Sequence, residues 1–165
     1  MTLLRIIATG PNFNRWEELL TLIRDSFAYM DGIIDPPSSA HRLTVDALRE
    51  KAKEEIGFAA LDGDVLVGCV FIKEKADHFY LGKLAVAPAF EGQGIGRKLM
   101  EKAEEEAVAC GKPVMELQTR IELTRNHKVF EKLGYHITAE TAHPGYDRTT
   151  SITMRKEIAH GDKLF

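Results

Sequence analysis

The sequence predicts an α/β fold of seven strands and four helices. Three observations lead there. Strand-like and helix-like patterns alternate along the chain in the order β-α-α-β-β-β-α-β-α-β-β. A strand, a glycine-rich turn and a long amphipathic helix follow one another between Leu81 and Ala107. The length of 165 residues, with 44% hydrophobic and 28% charged, suits one sizeable core. One domain is expected over residues 1–158, with a frayed tail at 159–165.

Leu3 to Ala8 reads as a first strand, stopped by Gly10-Pro11. Asn14 is the expected cap of a helix whose Trp16, Leu19, Leu20, Ile23 and Phe27 share one face. Asp31-Gly32 ends it. A proline- and serine-rich loop, 31–43, leads to Thr44, which caps a second helix with Val45, Leu48 and Ala52 inward. Ile56–Leu61 and Val65–Lys73 are strands joined by the hairpin signal Asp62-Gly63-Asp64. Asp77–Val86 is the strand before the glycine loop. The helix from Gln93 to Cys110 carries Ile95, Leu99, Ala103 and Ala107 on its buried stripe and glutamates outside. Gly111 and Pro113 stop it. Val114–Thr119 alternates as a strand, and Leu123–Leu133 is a short helix ended by Gly134. Tyr135–Thr141 and Arg148–Lys156 close the fold as strands.

A net charge of −3 gives no electrostatic reason to expect nucleic acid or an anionic membrane as partner. Cys69 and Cys110 both lie in apolar surroundings and are expected to be buried free thiols. No segment reaches the length of a membrane span, and the first apolar run is too short for a signal-peptide core. A cytoplasmic protein is expected. The six histidines show neither helical pairing nor cysteine partners at ligand spacing, so no metal site is expected.

Glu91-Gly92-Gln93-Gly94-Ile95-Gly96-Arg97-Lys98 is built to hold phosphates. Its glycines let the backbone approach a ligand, and the first turn of the following helix offers unpaired N–H groups. A nucleotide P-loop would need a hydroxyl residue after the lysine, and Leu99 stands there. A dinucleotide fingerprint needs a different glycine spacing from that of Gly92, Gly94 and Gly96.

Val86-Ala87-Pro88-Ala89-Phe90-Glu91-Gly92-Gln93-Gly94-Ile95-Gly96 instead resembles the acyl-CoA loop of the GNAT superfamily of N-acetyltransferases: a valine, a proline two residues on, then Arg/Gln-x-x-Gly-x-Gly/Ala. Asn126 to Tyr135, ending in Phe130-x-x-x-Gly134-Tyr135, is similar to that family's later signature. The resemblance spans residues 45–157 most closely. It implies a three-layer fold with a mixed, mostly antiparallel sheet and a CoA cleft between two splayed parallel strands. It implies acetyl-CoA as co-substrate, a primary amine of a small molecule or peptide as acceptor, no metal, and often a homodimer, with the last strand as interface.

Carried onto this chain, the resemblance assigns the backbone of Leu84, Ala85 and Val86 to the pantetheine arm. The amides from Gln93 through Lys98, with Gly92, Gly94, Ile95, Gly96 and the Arg97 and Lys98 side chains, go to the pyrophosphate. Asn126 falls by the pantetheine or acetyl region, Phe130 by the thioester sulfur, and Lys132 by the adenine-ribose end. The Val86 amide is a candidate to polarise the thioester carbonyl. Two positions depart from the family pattern. Glu91 stands where Arg or Gln begins the loop, and is expected to face solvent or a cation. Phe130 stands where many members carry a proton-donating tyrosine, which leaves Tyr135, another group, water, or no acid at all.

The amine must be neutral to attack, and a group with a pKa of about 10.4 is neutral only ~0.04% of the time at pH 7. A general base therefore helps. Glu122, after the 114–119 strand, and His143 and Tyr146, in the last hairpin, are the candidates. Asp35, Ser38 and Ser39 of the 31–43 loop and Arg120 are candidates for holding the acceptor. A non-catalytic acyl-CoA sensor is the alternative function.

Overall fold

The computed structural model describes residues 4–158. Its strands are β1 (Leu4–Ala8), β2 (Ile56–Asp62), β3 (Val65–Glu74), β4 (Phe79–Val86), β5 (Val114–Arg120), β6 (His136–Thr141) and β7 (Ser151–Glu157). The helices are α1 (Trp16–Phe27), α2 (Val45–Glu54), α3 (Ile95–Ala109) and α4 (Thr124–Lys132), with short 3-10 turns at Ala28–Met30, Ser39–Arg42 and Pro88–Phe90. Leu3 and the expected tail lie outside the described residues.

The strands form one sheet in the order β1-β2-β3-β4-β5-β7-β6. Neighbours are antiparallel except β4 and β5, which run parallel. Helices cover both faces, which gives the three layers. On one face Leu19, Leu22 and Ile23 of α1 and Leu48 of α2 pack on Ala59, Cys69 and Phe71. On the other, Ile95, Leu99, Met100, Ala103 and Ala107 of α3 pack on Phe58, Val70 and Leu117. Each large side chain so buried contributes roughly 1.5–3 kcal/mol.

The central strand β3 is apolar on both sides, as a doubly covered strand must be. Its alternation changes phase once. Ala60 pairs with Gly68 and Leu61 with Leu66, so Val67 is an extra residue in β3. That bulge lets Val67 and Val70 face α3 while Leu66 and Cys69 face α1. Gly68 is required beside it. A Cβ there would lie 2.9 Å from Leu99 Cδ1 and 3.1 Å from the Ala85 carbonyl oxygen. The glycine brings α3 down onto the sheet next to the end of β4.

Four expectations are corrected. Asn14 does not cap α1: Arg15 holds that position without a side-chain cap, and its guanidinium binds the Glu18 carboxylate and the Asp64 carbonyl instead. α3 begins at Ile95 because Gly94, at φ 82°, cannot continue a right-handed helix. Cys69 is buried, but Cys110 is exposed because α3 has already passed its last buried residue, Ala107. β7 is not a free edge, since β5 and β6 flank it; the sheet's edges are β1 and β6. The Thr44 cap is as expected, its hydroxyl accepting from the Ala47 amide at 3.1 Å.

Candidate active site

β4 and β5 pair only where Phe79, Tyr80 and Leu81 meet Met115, Glu116 and Leu117. Both strands continue beyond, to Val86 and Arg120, without pairing to each other. The sheet therefore opens into a wedge, and a cavity of about 840 Å³ occupies it. That size suits a small-molecule site. β4, β5, α3, α4, the segment 26–42 and the last hairpin supply its walls.

At one end lies the glycine loop. Gly92 and Gly94 take φ values of 83° and 82°, which glycine adopts at no steric cost. A Cβ built at either meets no atom within 4 Å, so the backbone fronts open space. No side chain caps α3. The amides of Ile95, Gly96 and Arg97 make no hydrogen bond among the described residues, whereas the Lys98 N–H already donates to the Gly94 carbonyl at 3.1 Å. Lys98 therefore drops out of the expected set of amide donors. Unpaired amides at a helix N-terminus favour an anion. Arg97, on the first turn of α3, and Lys132, at the end of α4, both line the cavity, and Glu91 is exposed at the loop with no ion pair among the described residues. A pyrophosphate-bearing cofactor fits these groups.

The middle of the wedge differs from expectation in its donors. The Val86 N–H is engaged, donating to the Ser26 hydroxyl of α1 at 3.2 Å. Ser26 is buried and lines the cavity, and its hydroxyl retains a proton to donate. Phe130 forms part of the α4 wall and meets Tyr135 edge-on at 6.2 Å between ring centres. The Asn126 amide donates to the Tyr29 hydroxyl at 3.1 Å, bridging α4 to the turn after α1. Tyr135 is a core residue. Its hydroxyl donates to Glu104 at 2.9 Å, and burial pushes its pKa far up, so it has no proton to give at the cleft. Cys69 is fully buried, donates to the Lys83 carbonyl at 3.4 Å and is pushed up to about 12 by burial. It offers no thiolate nucleophile at neutral pH.

β4 carries a second bulge here. Cys69 pairs with Ala85 and Phe71 with Gly82, so Lys83 and Leu84 together oppose Val70. Lys83 takes φ 50°, a conformation that side-chain-bearing residues rarely hold. Its ammonium lines the cavity and donates to Ser39 Oγ at 3.0 Å. Burial and the nearby Lys51 charge lower its pKa.

The three base candidates separate. The Glu122 carboxylate accepts from the Asp35 amide at 3.3 Å and lies 3.8 Å from Arg148; it is not among the cavity walls. Its other oxygen is buried without a partner among the described residues. The Tyr146 hydroxyl donates to Asp35 Oδ1 at 2.6 Å, which raises its pKa. His143 does line the cavity. Its Nδ1 contacts Thr150 Oγ1, and burial together with the Arg120 charge lowers its pKa. A ring so placed is neutral at pH 7 and able to accept a proton.

The acceptor candidates are largely occupied with one another. Asp35 accepts from Tyr146 and from Arg148, the latter at 3.1 Å. Arg120 donates to the carbonyls of Pro36 and Pro37. Ser38 caps the 3-10 turn by accepting from the Ala40 amide, and Ser39 accepts from Lys83. Ser38, Ser39 and Arg120 build the wall of the cleft's far end with Pro36 and Pro37, whereas Asp35 and Tyr146 are not among its walls. Ser26, Tyr29, Arg42 and Lys83 also line the cavity and belong to no sequence motif. A lone lysine in the otherwise apolar run 79–86 is the one readable signal among them.

The fold and its cleft match those of solved acetyltransferases. Superposition on the Paia N-acetyltransferase of Thermoplasma acidophilum, solved with coenzyme A, gives a TM-score of 0.78 at 18% identity over 93% of this chain and 99% of that one. Aminoglycoside 6'-acetyltransferase type Ii superposes with a TM-score of 0.74 at 25% identity over 94% and 98%. An IAA acetyltransferase of Azospirillum brasilense is 29% identical over 122 residues, 72% of this chain and 77% of that protein. The chain belongs to the acetyltransferase (GNAT) family, whose model matches residues 16–135.

Proposed function

We propose that this protein transfers an acetyl group from acetyl-CoA directly to a primary amine of a small molecule or peptide. One observation carries the reading: the unpaired amides of Ile95, Gly96 and Arg97 stand at the mouth of the wedge left by β4 and β5. Acetyl-CoA, when bound, supplies an acetyl thioester that an amine can attack.

Each wall residue then has a role. The α3 amides and the Arg97 and Lys132 side chains hold phosphate oxygens. The open edge of β4 at Leu84 offers backbone groups to an extended amide-bearing arm, in the manner of an added strand. Ser26, already accepting from Val86, directs its remaining O–H at the carbonyl and stabilises charge developing there. His143, neutral and cleft-lining, takes a proton from the acceptor ammonium directly or through water, and the neutral amine so formed attacks the thioester carbonyl. Phe130 carries no proton, so protonation of the departing thiolate, whose conjugate acid has a pKa of about 8.5, falls to water.

The test is thiol release from acetyl-CoA over a panel of amino acids, polyamines, aminoglycosides and N-terminal peptides. A saturable rate with at least one amine supports the proposal. No release with any amine overturns it. Saturating acetyl-CoA, at a hundred times its Kd, should add about 2.7 kcal/mol of stability. Gly94→Glu should abolish that gain and leave the unliganded protein folded. An undiminished gain would place the pyrophosphate elsewhere.

A further inference from the structure

The walls of the cleft are unbalanced in charge. Arg42, Lys51, Lys83, Arg97, Arg120 and Lys132 line the cavity, against one carboxylate, Glu91 at the cofactor rim. Most of these cations have work elsewhere. The acetyl-transfer reading gives Arg97 and Lys132 to the cofactor phosphates. Arg120 is held by the Pro36 and Pro37 carbonyls. Lys51 is neutralised by Glu55 at 2.8 Å.

Lys83 and Arg42 remain. The half-buried Lys83 ammonium has one polar partner among the described residues, the neutral Ser39 hydroxyl, and it lies 5.9 Å from the centre of the Phe27 ring. Arg42 makes no hydrogen bond or ion pair among the described residues, and its charge is one of those acting against the Lys83 ammonium. The bulge at Lys83 and Leu84, with its positive φ, fixes where this side chain leaves β4. Strain of that kind persists only where the surroundings enforce it.

We infer that Lys83 and Arg42 form a subsite for an anionic group on the acceptor, so that the substrates are amines that also bear a carboxylate or a phosphate. The inference rests on the acetyl-transfer reading of the same cleft. A half-buried cation without a counter-ion is costly; an oxyanion relieves that cost for Lys83, and the exposed Arg42 adds a second charge-assisted donor. A polycationic acceptor meets the opposite situation. The far end offers no cavity-lining carboxylate to receive its ammonium groups. The positive wall also helps the chemistry, because neighbouring positive charge lowers the pKa of an ammonium and raises the fraction of free amine.

The experiment compares kcat/KM for free amino acids, their carboxamides, phosphoethanolamine and spermidine, with acetyl-CoA saturating. The acids or phosphoethanolamine should exceed the carboxamides and spermidine at least tenfold. Which of the two oxyanions is preferred identifies the group the subsite takes. Lys83→Met and Arg42→Met should each raise KM for the preferred anionic acceptor at least fivefold and leave KM for its uncharged counterpart within twofold. Lys83→Arg should restore most of the lost affinity. An unchanged acetyl-CoA-induced rise in Tm shows that each variant is folded and binds cofactor. Carboxamides or spermidine used as well as the acids overturns the anion subsite and leaves acetyl transfer standing. No thiol release with any amine overturns both.

Discussion

The Tyr146 hydroxyl donates to the Asp35 carboxylate at 2.6 Å, joining residues 111 positions apart. Arg148 grips the same carboxylate, and Arg120 holds the two carbonyls that come next in the chain. The 31–43 loop is thereby latched to the last hairpin across the far end of the cleft. Tyr146→Phe should loosen the latch and leave the cofactor loop untouched. Hydrogen exchange in 31–43 should quicken and the acceptor KM should rise several-fold, with the acetyl-CoA Kd unchanged. Equal protection in variant and parent would show that the contact does not order the loop.

His143 sets a pH dependence with a definite sign. Burial and Arg120 lower its pKa from the ordinary 6.5. Its basic form then persists to lower pH than a free imidazole's would. The acid limb of kcat/KM for the acceptor should accordingly fall at a pH below 6.5, and His143→Gln should remove that limb along with most of the rate. The same shift acts on stability. The unfolded chain takes up this proton first, so stability is lost as pH falls from the unfolded value to the folded one. A limb that survives His143→Gln would assign the base to another group.

Gly68 links packing to cofactor binding. In Gly68→Ala the new methyl would press on the Ala85 carbonyl and on Leu99. The Leu99 side chain can rotate, but the β4 backbone cannot. The variant should lose about 1–3 kcal/mol in urea unfolding. It should also bind acetyl-CoA more weakly, because the N-terminus of α3 is pushed from its seat. Full stability would mean that α3 packs less closely on the sheet than the geometry requires.

Tyr135→Phe isolates structure from chemistry. The hydroxyl it removes donates to Glu104, which keeps its ion pair with Lys156 at 3.0 Å. A stability loss of about 1 kcal/mol is expected. The value of kcat should stay within twofold, since that proton faces Glu104 and not the cleft. A large drop in kcat would make Tyr135 the missing acid after all.

The glycine loop and the start of α3 were legible because they are local. Val86 to Gly96 run in sequence, their glycine spacing encodes the turn, and the apolar stripe from Ile95 to Ala107 marks α3. The acceptor half is assembled from pieces far apart, and no local pattern announces a meeting such as that of Arg120 with Pro36. Arg120 and Asp35 were recognisable as polar loop-side residues, but their partners are other residues of the protein: the Pro36 and Pro37 carbonyls for Arg120, Tyr146 and Arg148 for Asp35. Asn14 misled because its type favours capping, whereas Arg15 gained more from Glu18 and the Asp64 carbonyl. Cys110 misled because its apolar neighbours Val108 and Ala109 are themselves exposed, beyond the last buried residue of α3, Ala107. The positive φ of Lys83 had no sequence signal, since lysine is not a residue chosen for that conformation.

The short pairing of β4 with β5 has a mechanical consequence. Three residue pairs, Phe79–Met115, Tyr80–Glu116 and Leu81–Leu117, are all the strand pairing between a four-stranded slab, β1 to β4, and a three-stranded one, β5 to β7, which α3 otherwise bridges. A molecule seated in the wedge lies across that seam and acts as a rivet. In denaturant the smaller slab should exchange its amides first when the cleft is empty. Once acetyl-CoA is bound, the two slabs should open together.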